Sequence, residues 1–176
     1  PRYEAMLDAA RKPATTDLGI SDEVLVKSVA PQLKFQNERG SDLTIFSPRA
    51  SGMAHHVGSE AVSIEWTRIS NVLIHRICTL LPENFVGVGQ LPQSPGAAPK
   101  NCIPELERIV KELGFVGMVT PQHVRDKNLD HPSFDVVWRT AEELGVPVRV
   151  HGGGQAIDQV PTGADRWKTR LEMHAL

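Results

Sequence analysis

The chain has 176 residues and a mass of 19.3 kDa, with 40% hydrophobic, 23% charged and 5% aromatic residues. This length and apolar content predict one globular domain with a sizeable core and exclude a disordered tail. A membrane span needs a run of about eighteen apolar residues, and none occurs. The 19 basic residues against 21 acidic ones leave no basic surplus for nucleic acid. We therefore expect neither a membrane nor a nucleic acid as partner.

The two cysteines, Cys78 and Cys102, form neither a C-x-x-C motif nor a zinc-ribbon spacing. So few cysteines in a chain of this size argue against a disulfide framework. We expect reduced thiols in a cytoplasmic protein.

Four short apolar segments predict β-strands at residues 42–46, 85–91, 115–119 and 146–150. Turn-forming residues bound most of them. Their apolar character is nearly continuous rather than alternating, which is typical of parallel strands that are buried on both faces.

Apolar residues at three- and four-residue steps predict helices between these strands. The predicted helices cover residues 21–39, 57–81, 103–113, 133–144 and, near the end of the chain, 163–176. Each predicted strand is therefore followed or preceded by a helix in strict alternation.

Three glycines mark the joins between a helix and the next strand. Gly40, Gly114 and Gly145 each end a predicted helix, as expected of a helix C-cap. Alternating helices and strands imply a parallel α/β sheet. We expect a leading loop at 1–20 and a single domain over 21–176.

Two α/β architectures agree with this order of elements. One is a doubly wound open sheet and the other is part of a (β/α)8 TIM-type barrel. A full barrel needs about 250 residues, so four strands would supply about half of one. In both folds reactive groups gather at the carboxyl ends of the strands.

The loop after the first strand holds the densest group of candidate site residues. Ser47 and Ser51 offer hydroxyls, Arg49 offers a planar fork suited to a carboxylate, and His55 and His56 offer imidazoles before a helix N-terminus. We predict that these five residues bind a polyanionic small molecule, and a solvated loop is the alternative. Because adjacent histidines point in different directions, one metal is not expected to bind both.

Weaker candidates follow the second and third strands. Gln90 or Gln93 could donate hydrogen bonds to a ligand, although a proline-stiffened turn explains them equally well. His123 and Arg125 lie in a long loop, where such residues often have no role.

His151 ends the fourth strand and is followed by three glycines at 152–154. The glycines leave space for a ligand or a metal beside the imidazole, which is the commonest protein ligand for zinc-like ions. We predict metal ligation or catalysis by His151, against the alternative of a hydrogen-bonded core histidine.

Several segments together resemble a known family. Residues 38–51 (ERGSDLTIFSPRAS), 91–95 (LPQSP) and 102–107 (CIPELE) are similar to the 4-oxalomesaconate hydratases of the amidohydrolase superfamily. Residues 147–151 (PVRVH) resemble more generally the branch that includes the aminocarboxymuconate-semialdehyde decarboxylases. The hydratase-like pattern is lost after residue 117.

This resemblance implies a (β/α)8 barrel with one divalent metal, usually zinc. Its ligands are an H-x-H pair on the first strand, a histidine that ends the fifth strand and a later acidic residue or histidine. His151 matches the fifth-strand ligand, so the four strands here would be the second to fifth. The resemblance also implies that Ser51 and His56 face the substrate and that Arg49 pairs with a carboxylate.

The implied function is metal-dependent hydration of a small carboxylated ring-cleavage product in aromatic catabolism. No H-x-H occurs in the 176 residues, and a catalytic zinc site needs about three protein ligands. We therefore expect a barrel fragment that by itself binds metal weakly, is inactive and self-associates through open strand edges.

Three alternatives stay open. The first is a decarboxylase of the same branch. The second is an α/β-hydrolase-type esterase that uses the 151–154 loop, although the G-x-S-x-G motif of such enzymes is missing from the sequence. The third is a barrel fragment that has a binding role and no catalytic activity.

Overall fold

A computed structural model describes residues 18–48, 59–92, 94, 96–121, 123–124 and 127–151. This part of the chain contains four α-helices and seven short strands. The helices are α1 Asp22–Arg39, α2 Glu60–Leu80, α3 Ile103–Lys111 and α4 Asp135–Glu143. The strands are β1 Thr44–Phe46, β2 Phe85–Gly87, β3 Gly89–Gln90, β4 Met118–Pro121, β5 His123–Val124, β6 Lys127–Asn128 and β7 Val148–His151. Two single 3₁₀ turns, Pro99–Cys102 and Pro132–Phe134, precede α3 and α4.

The strands β1, β2, β3, β4 and β7 follow one another in chain order: β1 pairs with β2, β3 pairs with β4 and β4 pairs with β7, and all three pairings are parallel. Val119 of β4 lies between Gln90 of β3 and Arg149 of β7. Val88 separates β2 from β3, and its backbone N–H donates to the carbonyl oxygen of Phe46 at 2.9 Å. The segment 85–90 therefore joins the β1–β2 pair and the β3–β4–β7 sheet into one parallel array. Sequential parallel order with helical connections is typical of a (β/α)8 barrel, whereas the strand order of a doubly wound sheet reverses.

The four predicted strands are all present, but their bounds differ from the prediction. The second is divided at Val88. The third begins at Met118 rather than at Phe115, because the Phe115 amide donates to the carbonyl oxygen of Ile109 at 2.9 Å and turns the chain before the strand starts. The antiparallel hairpin β5–β6 lies where the sequence predicts a long loop.

The helix boundaries follow from local capping. The Ser21 hydroxyl accepts a hydrogen bond at the start of α1, and the Ser59 hydroxyl does so for α2. Gly40, Gly114 and Gly145 have φ values of 62°, 64° and 68°, as glycine at a helix C-terminus allows. These three joins confirm the prediction. The helix predicted at 163–176 and residues 1–17 of the leading loop predicted at 1–20 lie outside the described residues.

The core lies between the helices and one face of the sheet, in two clusters. The larger cluster packs α3 and α4 on β4, and its buried members are Ile74, Leu91, Cys102, Leu106, Ile109, Phe115, Met118, Phe134, Val137 and Ala141. The smaller cluster packs α1 and α2 on β2 through Leu25, Val29, Ile77 and Phe85. Both cysteines are free thiols, as predicted. Among the described residues, no helix combines the length and the apolar character that a bilayer crossing requires.

Candidate active site

The residues predicted to bind substrate follow β1. Ser47 is half-buried just beyond the end of that strand. Arg49, Ser51, His55 and His56 lie outside the described residues, so their grouping stays a prediction.

The predicted metal ligand His151 is the last residue of β7. Its backbone is in register with Pro121 of β4. Because the strands are parallel, this position lies at the same edge of the sheet as Ser47 after β1. That edge is where reactive groups collect in barrels of this kind. Among the described side chains, no three histidine, cysteine, aspartate or glutamate residues come close enough to hold a metal.

A buried polar network lies beneath this edge and centres on Asn71 of α2. The Asn71 carboxamide accepts a hydrogen bond from the Gln90 backbone N–H at 2.9 Å and donates to the Gln90 carbonyl oxygen at 2.9 Å. It also donates to Oε1 of Glu105 at 2.8 Å. Asn71 thus pairs with the free side of β3 much as a neighbouring strand would. The network fixes the backbone of Gln90 at the strand end.

Glu105 links this network to Arg108 one turn later in α3. The Arg108 guanidinium donates from Nε to Oε2 at 2.8 Å and from Nη2 to Oε1 at 2.6 Å. Both side chains are largely buried: that of Glu105 is 6% exposed and that of Arg108 is 13% exposed. The hydrogen bond with Glu105 raises the pKa of Arg108, which keeps the guanidinium charged. The pair is a rigid, charge-balanced support for Asn71.

The face of the sheet on which Gln90 lies follows from its neighbour Gly89. A Cβ atom on Gly89 would lie 2.6 Å from Cδ1 of Ile109 and 2.9 Å from Cδ2 of Phe115, so that face is filled by the helix layer. Successive strand residues alternate between faces. Gln90 therefore lies on the opposite face, together with Val119 and Arg149 of its register row.

Gln90 is one of the weaker sequence candidates, and the structure gives it a distinctive environment. Its side chain is 1% exposed, and its Nε2 atom has no hydrogen-bond acceptor among the described residues. A buried amide donor is normally satisfied by protein, water or a ligand. The sequence signal was present as a glutamine at a strand's carboxyl end, but nothing in the sequence points to its support by Asn71. Gln93 lies outside the described residues.

Two histidines outside the candidate site, His75 and His131, have structural contacts. Nδ1 of His75 lies 3.1 Å from the carbonyl oxygen of Leu113. His131 caps the 3₁₀ turn before α4, where Nδ1 accepts from the Ser133 backbone N–H at 3.2 Å. His174 and Arg125 lie outside the described residues, and His123 is described only as a backbone position in β5.

Comparisons with known proteins agree with this architecture. The family model described as Amidohydrolase matches residues 13–174. The chain is 43% identical over 151 residues to 2-keto-4-carboxy-3-hexenedioate hydratase of Sphingobium sp., covering 82% of this chain and 44% of that protein. The crystal structure of 4-oxalomesaconate hydratase from Rhodopseudomonas palustris superimposes with a TM-score of 0.75 at 35% identity, covering 97% of this chain and 56% of that one.

A third relative is a dihydroxybenzoic acid decarboxylase from Polaromonas sp., solved with bound manganese and an inhibitor. It has a TM-score of 0.66 and 25% identity, and the match covers 74% of this chain and 40% of that one. The chain thus spans about half the length of the relatives that it matches.

These findings establish the class of protein: the chain belongs to the amidohydrolase family and adopts part of its barrel fold. Its relatives include hydratases and a decarboxylase. The family match includes residues 151–154, so it decides against the esterase alternative for that loop.

Proposed function

We propose that the protein is an amidohydrolase-family hydratase that adds water across a carbon–carbon double bond of a small polycarboxylate. The observation that carries the proposal is the 43% identity over 151 residues to 2-keto-4-carboxy-3-hexenedioate hydratase. We take 2-keto-4-carboxy-3-hexenedioate as the first substrate to be tested. Hydration forms one C–O and one C–H bond, so a site for it has to orient the substrate's carboxylates firmly relative to a water molecule.

The loop after β1 is the proposed carboxylate-binding segment. Arg49 would pair with one carboxylate through two parallel hydrogen bonds, as the planar guanidinium allows. Ser47 and Ser51 would donate hydroxyl hydrogen bonds, His56 would face the substrate, and His55 would contribute a second imidazole to this binding segment.

His151 is the proposed contribution of this chain to a divalent-metal site. The described side chains hold no cluster of three metal-binding residues, and His151 would supply one ligand at the end of β7. A bound divalent ion polarises a carbonyl or a water molecule. Manganese in the Polaromonas decarboxylase supports a divalent ion. Zinc is the ion we propose, because a neutral imidazole is one of its preferred ligands. The two free thiols support a cytoplasmic location.

The test is a hydration assay with the purified protein, zinc and 2-keto-4-carboxy-3-hexenedioate. Loss of the conjugated double bond is followed by ultraviolet absorbance, and the hydrated product by mass. We expect the 176 residues alone to show no turnover, because His151 is a single ligand of a site that needs about three. A protein that also carries the remaining ligands should show turnover that a chelator abolishes. We also expect Arg49→Met to raise KM by about tenfold or more, as removal of a charged hydrogen-bond pair does. The matched control is Arg39→Met, an exposed arginine at the end of α1. Absence of any water addition by the metal-loaded protein with the remaining ligands would overturn the proposal.

A decarboxylase is the second candidate, since the Polaromonas relative is a decarboxylase of carboxylated aromatic rings. The same groups would hold the carboxylate while the C–C bond to it breaks, CO₂ leaves and a proton takes its place on the ring carbon. Measuring CO₂ release from dihydroxybenzoate separates the two activities. CO₂ release without hydration would favour this second candidate. A metal-loaded protein that carries the remaining ligands and has neither activity would favour the non-catalytic alternative.

A further inference from the structure

We propose that Gln90 is a substrate-contacting, specificity-determining residue whose carboxamide donates a hydrogen bond to a carboxylate or carbonyl oxygen, and that Asn71 positions it. This inference rests on the proposed function and names a residue of the same site outside the loop after β1. Gln90 occupies the carboxyl end of β3, on the sheet face turned away from the helices. In (β/α)8 barrels, catalytic and binding side chains come from such strand ends.

The buried amide of Gln90 is the first reason for the proposal. Its side chain is 1% exposed, yet Nε2 has no acceptor within the described part of the chain. Burying an unpaired amide opposes folding. An aliphatic side chain of similar size would avoid that penalty. A donor kept at such a position is therefore expected to serve a ligand that supplies the acceptor.

The fixed backbone of Gln90 is the second reason. Both its N–H and its C=O are hydrogen-bonded to Asn71 at 2.9 Å, and Asn71 is held in turn by Glu105. A buried ion pair with Arg108 completes the support. Three polar residues, Asn71, Glu105 and Arg108, thus fix the backbone of one residue at a strand end. Rigid support of this kind is what a hydrogen-bond donor needs to select one substrate geometry.

The chemistry of the donor defines the ligand class. A carboxamide N–H₂ is neutral and binds an oxygen acceptor without neutralising it. It can therefore donate a hydrogen bond to a second carboxylate or to a ketone oxygen, in addition to the proposed Arg49 contact. A small keto acid with several carboxylates supplies both types of acceptor.

The chain offers a matched control in Gln36, which is also a buried glutamine. Gln36 is 4% exposed, but its Nε2 donates to the carbonyl oxygens of Asp42 at 3.0 Å and Asn84 at 3.2 Å. Its amide is fully used within the fold. Gln36→Leu should therefore lower stability and leave ligand binding alone, whereas Gln90→Leu should do the reverse.

The experiment compares wild type, Gln90→Leu and Gln36→Leu in the zinc-loaded protein that carries the remaining metal ligands. Three quantities are measured for each: the unfolding midpoint, the KM and kcat for 2-keto-4-carboxy-3-hexenedioate, and the calorimetric Kd for propane-1,2,3-tricarboxylate, which has no double bond to hydrate. We expect Gln90→Leu to raise KM about ten- to a hundredfold, as loss of a hydrogen bond to a charged group does. We expect its kcat to change far less and its unfolding midpoint to stay equal or rise.

Asn71 is tested as a positioning residue by Asn71→Ala, alone and combined with Gln90→Leu. We expect Asn71→Ala to raise KM in the wild-type background. It should add almost nothing to KM once Gln90 is leucine, because the two changes remove the same contact. An equal increase in both backgrounds would overturn the positioning role.

The outcomes separate this inference from the proposed function. A wild-type protein that hydrates the substrate, together with a Gln90→Leu variant of unchanged KM and unchanged Kd, would overturn the inference and leave the function intact. A Gln90→Leu variant that loses stability as Gln36→Leu does would also overturn it, since the amide would then be structural. A wild-type protein that neither hydrates the substrate nor binds the tricarboxylate would overturn the function itself.

Discussion

The two faces of the parallel sheet differ in what covers them. On the helix side, Phe85 and Met118 are buried at 2% and 1% exposure within the two core clusters. On the other side, Ile45 of β1 is 56% exposed and Arg149 of β7 is exposed. Gln90 and Val119, between them, are buried. The helix face therefore carries most of the packing free energy.

The open face carries polar groups that the fold does not need for its own packing. In a (β/α)8 barrel the face away from the helices is the interior, and its carboxyl end holds the active site. Ile45 is exposed and Gln90 is buried, so the covered part of that face lies at the middle strands. Stability and function are thus assigned to opposite faces of the same strands, which the following predictions test.

The largest expected effect comes from removing the buried charge partner under the sheet. Glu105→Gln should lower the free energy of unfolding by about 3 kcal/mol, because Arg108 would be left with an uncompensated buried charge. The measurement is urea unfolding of the chain, followed by circular dichroism.

The control for this prediction lies on the same helix. Glu107 and Lys111 form an ion pair of similar length, 2.7 Å, but both side chains are about half exposed. Glu107→Gln should change the unfolding free energy by less than about 0.5 kcal/mol. Equal losses in the two variants would mean that burial of the Glu105 pair is not what gives it its importance.

The next effect concerns the glycines of the second strand. A Cβ on Gly87 would lie 2.5 Å from two ring atoms of Phe115. Gly87→Ala should therefore destabilise the chain by about 1–3 kcal/mol through overpacking. In a Phe115→Leu background the same substitution should cost much less, since the ring that blocks the Cβ is gone. Thermal unfolding of the four variants measures this coupling, and strictly additive losses would contradict the close contact.

Those glycines also show how much of the fold could be predicted from the sequence. The pattern Gly87-Val88-Gly89 inside an apolar segment predicted a strand, and the parallel order of strands and helices was predictable from periodicity and from the glycine caps. The side chains for which these glycines leave space were not predictable. Phe115 and Ile109 lie against them from twenty or more positions along the chain, and periodicity carries no information about which distant side chain packs on which strand.

The candidate site divides in the same way. His151 at a strand end and Ser47 after a strand were visible as residue types in the right place. The support of Gln90 was not visible, because it joins Asn71 of α2 to Glu105 of α3 across the end of β3. A buried asparagine on a helix normally suggests only a local exception to the apolar pattern. Its meaning depends on tertiary contacts between three elements.

A smaller effect distinguishes two positions on the open face. Ile45 is exposed, so Ile45→Thr should change the unfolding free energy by no more than about 0.5 kcal/mol. Val88 lies on the same face and is 6% exposed. Val88→Thr places a hydroxyl in a buried site and should cost about 1–3 kcal/mol. If Ile45→Thr proved as costly as Val88→Thr under urea, the side chain of Ile45 would have to be covered in solution.

The smallest effect is a pH dependence on the helix side. Burial raises the pKa of the Cys78 thiol in the folded chain. Between the pKa of the unfolded thiol, about 8.5, and the higher folded value, the folded state holds a proton that the unfolded state has lost. This contribution to stability is therefore complete below about pH 8 and is lost as pH rises through that window.

Cys78→Ala removes this titration and keeps every other titratable group. The urea midpoint of wild type should fall more steeply above about pH 8 than that of the variant, while the two curves run parallel at neutral pH. Parallel curves throughout would show that the Cys78 thiol titrates alike in both states. In that case the helix layer at α2 would admit solvent, and the contrast between the closed and the open face would be weaker than the burial of Phe85 and Ile77 indicates.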